Sequence, residues 1–201
     1  MWPWEHVFFA YVFYSIYRHL RYRKPPSGPA TIALAFGSVL PDLIDKPLAW
    51  QFGIVESGYT VGHSIVVTVP LLFVTYLLAR RRDRAREGGA FVVGYLLHIV
   101  GDVLPVSLRR GELYIDHVLW PIVAAEPTRT HSGFSEGVLY HLSTYVEGIL
   151  ALQMTPVVAL QLGSLAFGLL LWKYDGCPGV GTTIDGLRSV VGDTLEASKP
   201  G

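Results

Sequence analysis

The sequence contains little cysteine and little charge, and both shortages exclude classes of protein. The single cysteine, Cys177, excludes an internal disulfide bond and any zinc site built from several thiolates. Charged residues make up 16% of the chain, against about 25% in a typical soluble domain, while 51% of the residues are hydrophobic. The formal net charge of +0 provides no overall attraction to nucleic acid, so we expect no nucleic-acid partner. This balance indicates that the lipid bilayer is the main partner.

Apolar segments alternate with short polar breaks along most of the chain. They cover residues 4–20, 30–44, 62–79, 90–104, 114–125 and 137–172. We expect the fourth segment to end at Pro105 and the last one to break at Pro156. Because a perpendicular crossing needs about 20 residues, the fifth segment is too short to span and is expected to be re-entrant or interfacial.

These segments predict an all-α fold, a polytopic transmembrane helical bundle with about five to seven membrane segments, some of them short or re-entrant. Residues 1–172 are expected to form the integral membrane domain that carries the site. Residues 173–201 are polar and predict an exposed C-terminal tail. His131 and Ser132 fall in a polar loop and are expected to be exposed.

Two basic clusters set the expected orientation of the segments. Residues 18–24 and 80–86 are rich in lysine and arginine, which favour the cytoplasmic side of a membrane. The first and third segments then run inward, and the second and fourth run outward. We therefore expect an integral protein of the cell (plasma) membrane whose active site faces outward.

Histidine and aspartate residues concentrate at the segment ends that this orientation places outside. They are His6, Asp42, Asp45, His63, His98, Asp102 and His117. His98 and Asp102 are spaced i, i+4 and therefore share one helical face. Asp42 and Asp45, spaced i, i+3, also converge if their helix continues past Pro41. Ionisable groups near hydrocarbon are costly unless they are paired, hydrated or functional, and a bound cation would offset that cost.

The chemistry of this cluster predicts a divalent metal site with nitrogen and oxygen ligands. The candidate ligands are His6, Asp42, Asp45, His63, His98 and Asp102. Imidazole with carboxylate suits zinc above all, and also manganese or iron(II). The set is larger than one tetrahedral zinc needs, so it predicts either two metals or a supporting role for some members.

Two pairs of residues have roles that the sequence leaves open. Asp45 and His117 are the candidate catalytic residues, each as general base or as an additional ligand. His141 and Glu147 lie on a late apolar segment. His141 would start near the outer face, and could join the site, if residues 114–125 do not span the membrane.

Five short motifs, in their order along the chain, carry a resemblance to a known family. They are "WEH" with His6, "PDLIDKPLAW" with Asp42 and Asp45, "GHS" with His63, "HIVGD" with His98 and Asp102, and "LWP". The chain resembles the membrane-bound, metal-dependent hydrolases, which are small inner-membrane proteins, and particularly their haloarchaeal members. Where members often carry "HR…THS", this chain has "SGYTVGHS", without the first histidine. The resemblance implies hydrolase activity.

Two functions from different classes fit these residues. The first is hydrolysis at the outer membrane face by a water molecule that the metal activates, on a small-molecule or lipid substrate such as a phosphoester or a lipid-linked intermediate. The second is a transporter that binds a cation without chemistry, or a non-catalytic membrane protein with the same polar cluster. The position of the cluster at one membrane edge and the lack of an internal repeat favour the hydrolase.

Overall fold

Seven α-helices make up the fold in the computed structural model, which describes residues 1–127, 133–151 and 155–197. These ranges contain no β-strand, so the predicted all-α class is confirmed. The helices are α1 (Pro3–Tyr22), α2 (Gly28–Lys46), α3 (Ile65–Arg81), α4 (Ala85–Arg110), α5 (Phe134–Leu150), α6 (Pro156–Tyr174) and α7 (Val180–Ala197). A π-helical segment, Pro47–Gln51, follows α2, and a 3₁₀ turn, Asp116–Val118, follows α4. His131 and Ser132 lie outside the described residues.

Local sequence signals account for several helix ends. Ser64 precedes α3, and its Oγ accepts a hydrogen bond from the Val67 backbone N–H, which satisfies a free donor of the first turn. Gly111 ends α4 in the left-handed region, with φ of 73°, where glycine is favoured. Pro156 stands at the start of α6, where a missing N–H costs nothing. The break expected at Pro156 is therefore confirmed.

Three prolines lie inside the described helices, Pro41 in α2, Pro70 in α3 and Pro105 in α4, and the last of them corrects an expectation. The predicted end of the fourth segment at Pro105 is wrong, because α4 continues through it to Arg110. An internal proline removes one backbone hydrogen bond, but Pro105 is buried and its packing offsets that loss. Helix α2 likewise continues past Pro41 as far as Lys46. Both helices therefore carry their acidic residues on regular helical turns.

Helices α2 and α4 approach each other closely at two glycines. A Cβ atom added at Gly94 would lie 2.2 Å from the carbonyl oxygen of Leu34, and one added at Gly37 would lie 2.3 Å from that of Phe91. Only glycine permits backbones to meet at this distance. Helix α1 packs against both α2 and α4, α3 packs against α4, and α6 packs against α1. The α2–α4 pair is thus the centre of the bundle.

Two of the described helices, α4 and α6, are long and apolar enough to cross a membrane. Large apolar side chains on the outer faces of α3 and α6, such as Leu71, Phe73 and Leu170, are exposed. Residues 114–125, the expected short membrane segment, contain only the 3₁₀ turn. The predicted tail includes α7, whose Thr182 lies against Gly28 at the start of α2.

Candidate metal centre

Four buried side chains converge at one end of the α2–α4 pair. Asp42 comes from the last turns of α2, His63 from the loop before α3, and His98 and Asp102 from the second half of α4. Each offers one ligand atom, and these atoms all lie within 4.8 Å of one another. The group could therefore hold a metal ion.

The distances between the ligand atoms match a coordination shell. His63 Nε2 lies 3.1 Å from His98 Nε2, 3.3 Å from Asp102 Oδ2 and 3.5 Å from Asp42 Oδ1. His98 Nε2 lies 3.5 Å from Asp102 Oδ2 and 3.8 Å from Asp42 Oδ1. A tetrahedron with zinc–ligand bonds of about 2.0 Å has edges of about 3.3 Å. These five separations bracket that value, and the ligand atoms of Asp42 and Asp102, the sixth pair, lie within 4.8 Å of each other, so the four atoms can share one cation after a modest approach.

Hydrogen bonds on the far side of each imidazole aim its Nε2 at the centre. His98 Nδ1 lies 2.7 Å from the Ser38 carbonyl oxygen, and His63 Nδ1 lies 2.8 Å from Asp45 Oδ2. Both partners are acceptors, so each Nδ1 carries the proton and donates it. In the neutral ring Nε2 then holds a lone pair, and two lone pairs that face each other repel unless a cation lies between them. These residues fit a divalent cation.

Asp45 anchors the loop that brings His63 to the centre. Its Oδ2 accepts hydrogen bonds from the backbone N–H groups of Thr60 and His63, and its Oδ1 accepts one from that of Gly62. With the imidazole of His63, this fully buried carboxylate has four donors. Asp45 therefore lies behind His63, outside the four-residue group.

Comparison with known protein families adds to this geometry. Residues 1–174 match the family described as YdjM inner membrane protein. The chain belongs to the YdjM family. No curated protein and no solved structure matches the chain. All four residues of the metal centre lie in the matched range, so the buried cluster belongs to the part of the chain that places it among the YdjM inner membrane proteins.

His6 lies beside the four-residue group of this YdjM protein. It is fully buried in the first turns of α1, and its ring stacks on His98 with 3.8 Å between ring centroids. Its Nε2 lies 3.3 Å from Asp102 Oδ1, and within the described part of the chain neither ring nitrogen has a hydrogen-bond partner. Asp102 Oδ1 also lies 3.0 Å from the α-amino nitrogen of Met1. Helix α1 thus contributes to the centre through the second oxygen of Asp102.

The remaining sequence candidates lie farther from the group. His117, on the 3₁₀ turn, stands edge-on to Tyr59, with 5.6 Å between ring centroids, and Tyr59 in turn packs on His63 at 4.7 Å. His141 is exposed and stacks on Trp50 at 5.2 Å, and Glu147 is exposed. None of these three candidates belongs to the four-residue group.

Sequence reasoning missed two residues next to the centre, Lys46 and Tyr59. Lys46 Nζ lies 2.7 Å from Asp42 Oδ1, a contact that the i, i+4 spacing on α2 could have indicated. The same Nζ lies 5.1 Å from the ring centroid of Tyr59 and 5.4 Å from that of Trp50. No spacing rule indicates Tyr59, because it reaches the site through the irregular loop before His63.

Replacement of Asp45 by asparagine is expected to weaken metal binding by about 10- to 100-fold while leaving the four ligands in the chain. The amide keeps the shape but offers only one acceptor oxygen to four donors. Zinc affinity of the purified protein, measured by competition with a chelating dye, checks this result. Asp116→Asn, an exposed carboxylate in the nearby 3₁₀ turn, is the matched control and should bind zinc like the wild type. Equal affinities in the two variants would contradict the role given to Asp45.

Proposed function

We propose that the chain is a membrane-bound, metal-dependent hydrolase that acts on a phosphoester at the outer membrane face. The observation that carries this proposal is the convergence of four buried side chains, Asp42, His63, His98 and Asp102. The Nδ1 atoms of the two histidines donate hydrogen bonds to acceptors outside the group, so each Nε2 faces the centre. Zinc suits this donor set best, and manganese or iron(II) are compatible with it. When bound, the cation would supply an activated water molecule and polarise a phosphoryl oxygen.

Lys46 gives the centre a second positive group. Its ammonium pairs with Asp42 Oδ1 and its side chain keeps 21% exposure, whereas the four ligands are buried. A cation beside the metal ligands can bind a phosphoryl oxygen and stabilise the charge that develops on it during hydrolysis. We assign Lys46 the binding of the anionic group of the substrate.

His117 and Asp45 receive different roles. Both ring nitrogens of His117 are buried and without a hydrogen-bond partner among the described residues. Burial lowers the pKa of His117 below its ordinary value, so the imidazole is neutral near pH 7 and can accept a proton. Asp45 has its oxygens occupied by four donors, which leaves it a positioning role on His63. We assign the general base to His117.

Further helices join the two candidate spans, α4 and α6, in the membrane arrangement that we propose. Exposed apolar faces on α1 and α3, with Phe13 and Phe73 among their residues, favour lipid contact for these helices as well. With α4 and α6 these helices make four segments, and α2 and α5, which expose Phe36 and Leu139, bring the proposed bundle to six, within the expected five to seven. The basic residues 18–24 and 80–86 lie at the helix ends opposite the metal centre, which favours a centre at the outer face of the membrane.

The deciding experiment joins metal analysis to an activity screen. Protein purified in detergent is expected to carry about one equivalent or more of a divalent transition metal and to hydrolyse a phosphomonoester or phosphodiester. A chelator should abolish the activity, and zinc or manganese should restore it. Bound metal with no hydrolysis of phosphoester or acyl substrates would instead favour the cation-binding transporter. Protein without metal, even after incubation with zinc, would overturn the proposal.

Replacement of Lys46 by glutamine is expected to lower kcat/KM for an anionic phosphoester by about 100-fold, with metal content unchanged at saturating zinc. The glutamine keeps most of the side-chain length but removes the positive charge. Arg109→Gln, which removes an exposed charge from the last turn of α4, the helix end that follows His98 and Asp102, is the matched control. An equal loss in both variants would show that only the general charge of this end of the protein matters.

A further inference from the structure

A cavity with apolar walls and three basic side chains lies at the end of the bundle opposite the metal centre. It is partly open and has a volume of about 720 Å³ between α1, the last turns of α3 and the first turns of α4. Arg18 is twelve residues beyond His6 on α1, and Arg86 is twelve residues before His98 on α4. At about 1.5 Å per helical residue, each pair is separated by about 18 Å along its helix. The cavity is therefore independent of the metal centre.

Arg18 is the buried charge of this cavity. Its side chain lines the cavity, the residue is only 9% exposed, and its Nε has no hydrogen-bond partner in the ranges that the structure describes. Among the residues that the structure describes, no carboxylate forms an ion pair with it, and its guanidinium carbon lies 4.6 Å from the centre of the Tyr22 ring. Burial of a guanidinium nitrogen without a hydrogen-bond acceptor is costly. The site lacks a partner for this charge.

The rest of the lining also suits an anion. Two further cations, Lys24 and Arg86, line the cavity, and no acidic residue does. Tyr14, Tyr17 and Tyr76 add side chains that carry hydroxyl donors. The first turn of α4 contributes as well, and the N-terminus of a long helix carries partial positive charge. An arginine fork with hydroxyl groups is the usual recognition chemistry of phosphate.

We propose that this cavity binds a phosphate group, and that its source is the headgroup of an anionic phospholipid in the leaflet on the basic side. The clusters at residues 18–24 and 80–86 surround the cavity at the helix ends where a headgroup layer would lie. Basic pockets between membrane helices on the cytoplasmic side are known to bind anionic headgroups. Exposed Phe13 beside the cavity offers an apolar surface to the acyl chains.

Native mass spectrometry of the full chain in detergent tests the proposal. The protein is titrated separately with phosphatidylglycerol, phosphatidylcholine and inorganic phosphate. We expect one equivalent of phosphatidylglycerol to bind at least about tenfold more tightly than phosphatidylcholine. Equal affinity for the two lipids, with no binding of inorganic phosphate, would overturn the site. Binding of inorganic phosphate without preference for phosphatidylglycerol would support the phosphate site but overturn its lipid source.

Three variants connect binding to the cavity. Arg18→Gln should reduce phosphatidylglycerol affinity to that of phosphatidylcholine, whereas Arg21→Gln, an exposed arginine on the same helix, should leave it unchanged. Equal losses in these two variants would overturn the cavity as the site. Arg86→Gln alters an exposed lining residue, so it should fold even if the change at Arg18 prevents folding, and a loss of about threefold or more is expected. Unchanged binding in Arg86→Gln would also contradict the proposal.

Discussion

Replacement of His98 by alanine is expected to prevent the purified protein from binding the divalent cation proposed for this centre. His98 Nε2 lies within 3.8 Å of the ligand atoms of His63, Asp42 and Asp102, so the change removes one corner of the shell. The remaining three ligands would keep two carboxylates and one imidazole around an open position. Because altering even a group behind a ligand typically costs 10- to 100-fold in affinity, loss of a ligand should cost about 100-fold or more. Metal content is measured by plasma mass spectrometry after dialysis.

His19→Ala is the matched control for this prediction. His19 lies on α1 at the opposite end of the bundle, where its Nε2 is 2.7 Å from Asp175 Oδ1. Its loss also removes an imidazole from an interhelical contact, but not one near the four ligands. We expect this variant to retain its metal. If both variants kept a full equivalent of metal, or both lost it, the assignment of His98 would be wrong.

Replacement of Gly94 by valine is expected to destroy the metal centre without changing any ligand. A Cβ atom at this position would lie 2.2 Å from the Leu34 carbonyl oxygen, and backbone cannot rotate away as a side chain can. Helix α4 must then move from α2, which separates His98 and Asp102 from Asp42. Overpacking of a core costs about 1–3 kcal/mol and more where backbone is involved. Thermal unfolding in detergent and metal content are the two measurements.

Gly89→Val provides the comparison on the same helix. A Cβ atom at Gly89 would meet only the Tyr76 ring, at 3.9 Å, which is an ordinary contact. This variant should therefore unfold near the wild-type temperature and retain its metal. A Gly94 variant that behaved in the same way would show that the close approach of α2 and α4 does not position the ligands.

The end of the bundle that carries the site could be predicted from charge alone. Lysine and arginine at residues 18–24 and 80–86 fixed the relative direction of the first four segments, and the structure places Asp42, His63 and His98 at the other end. The prediction succeeds because helix length and direction follow from local composition. It requires no knowledge of how the helices pack.

The different roles of the residues within the cluster could not be predicted from charge or spacing. Asp42 and Asp45 are three residues apart on one helix, yet one lies among the ligands and the other receives the loop N–H groups. That difference depends on the path of residues 52–64. This loop contains no helix or strand, so its sequence has no hydrophobic periodicity from which the path could be predicted. The helical continuation through Pro105 was missed for a related reason, since burial of a proline is a tertiary property.

The position of the ligands along the chain has a consequence for the order in which the parts of the protein assemble. All four ligands lie within residues 42–102: Asp42 on α2, His63 in the loop between α2 and α3, and His98 and Asp102 on α4. Contacts between residues close in the chain form with a small loss of loop entropy. The centre can therefore assemble while α5, α6 and α7 are still being synthesised, and a cation captured at that stage would hold α2 and α4 together while the later helices are added.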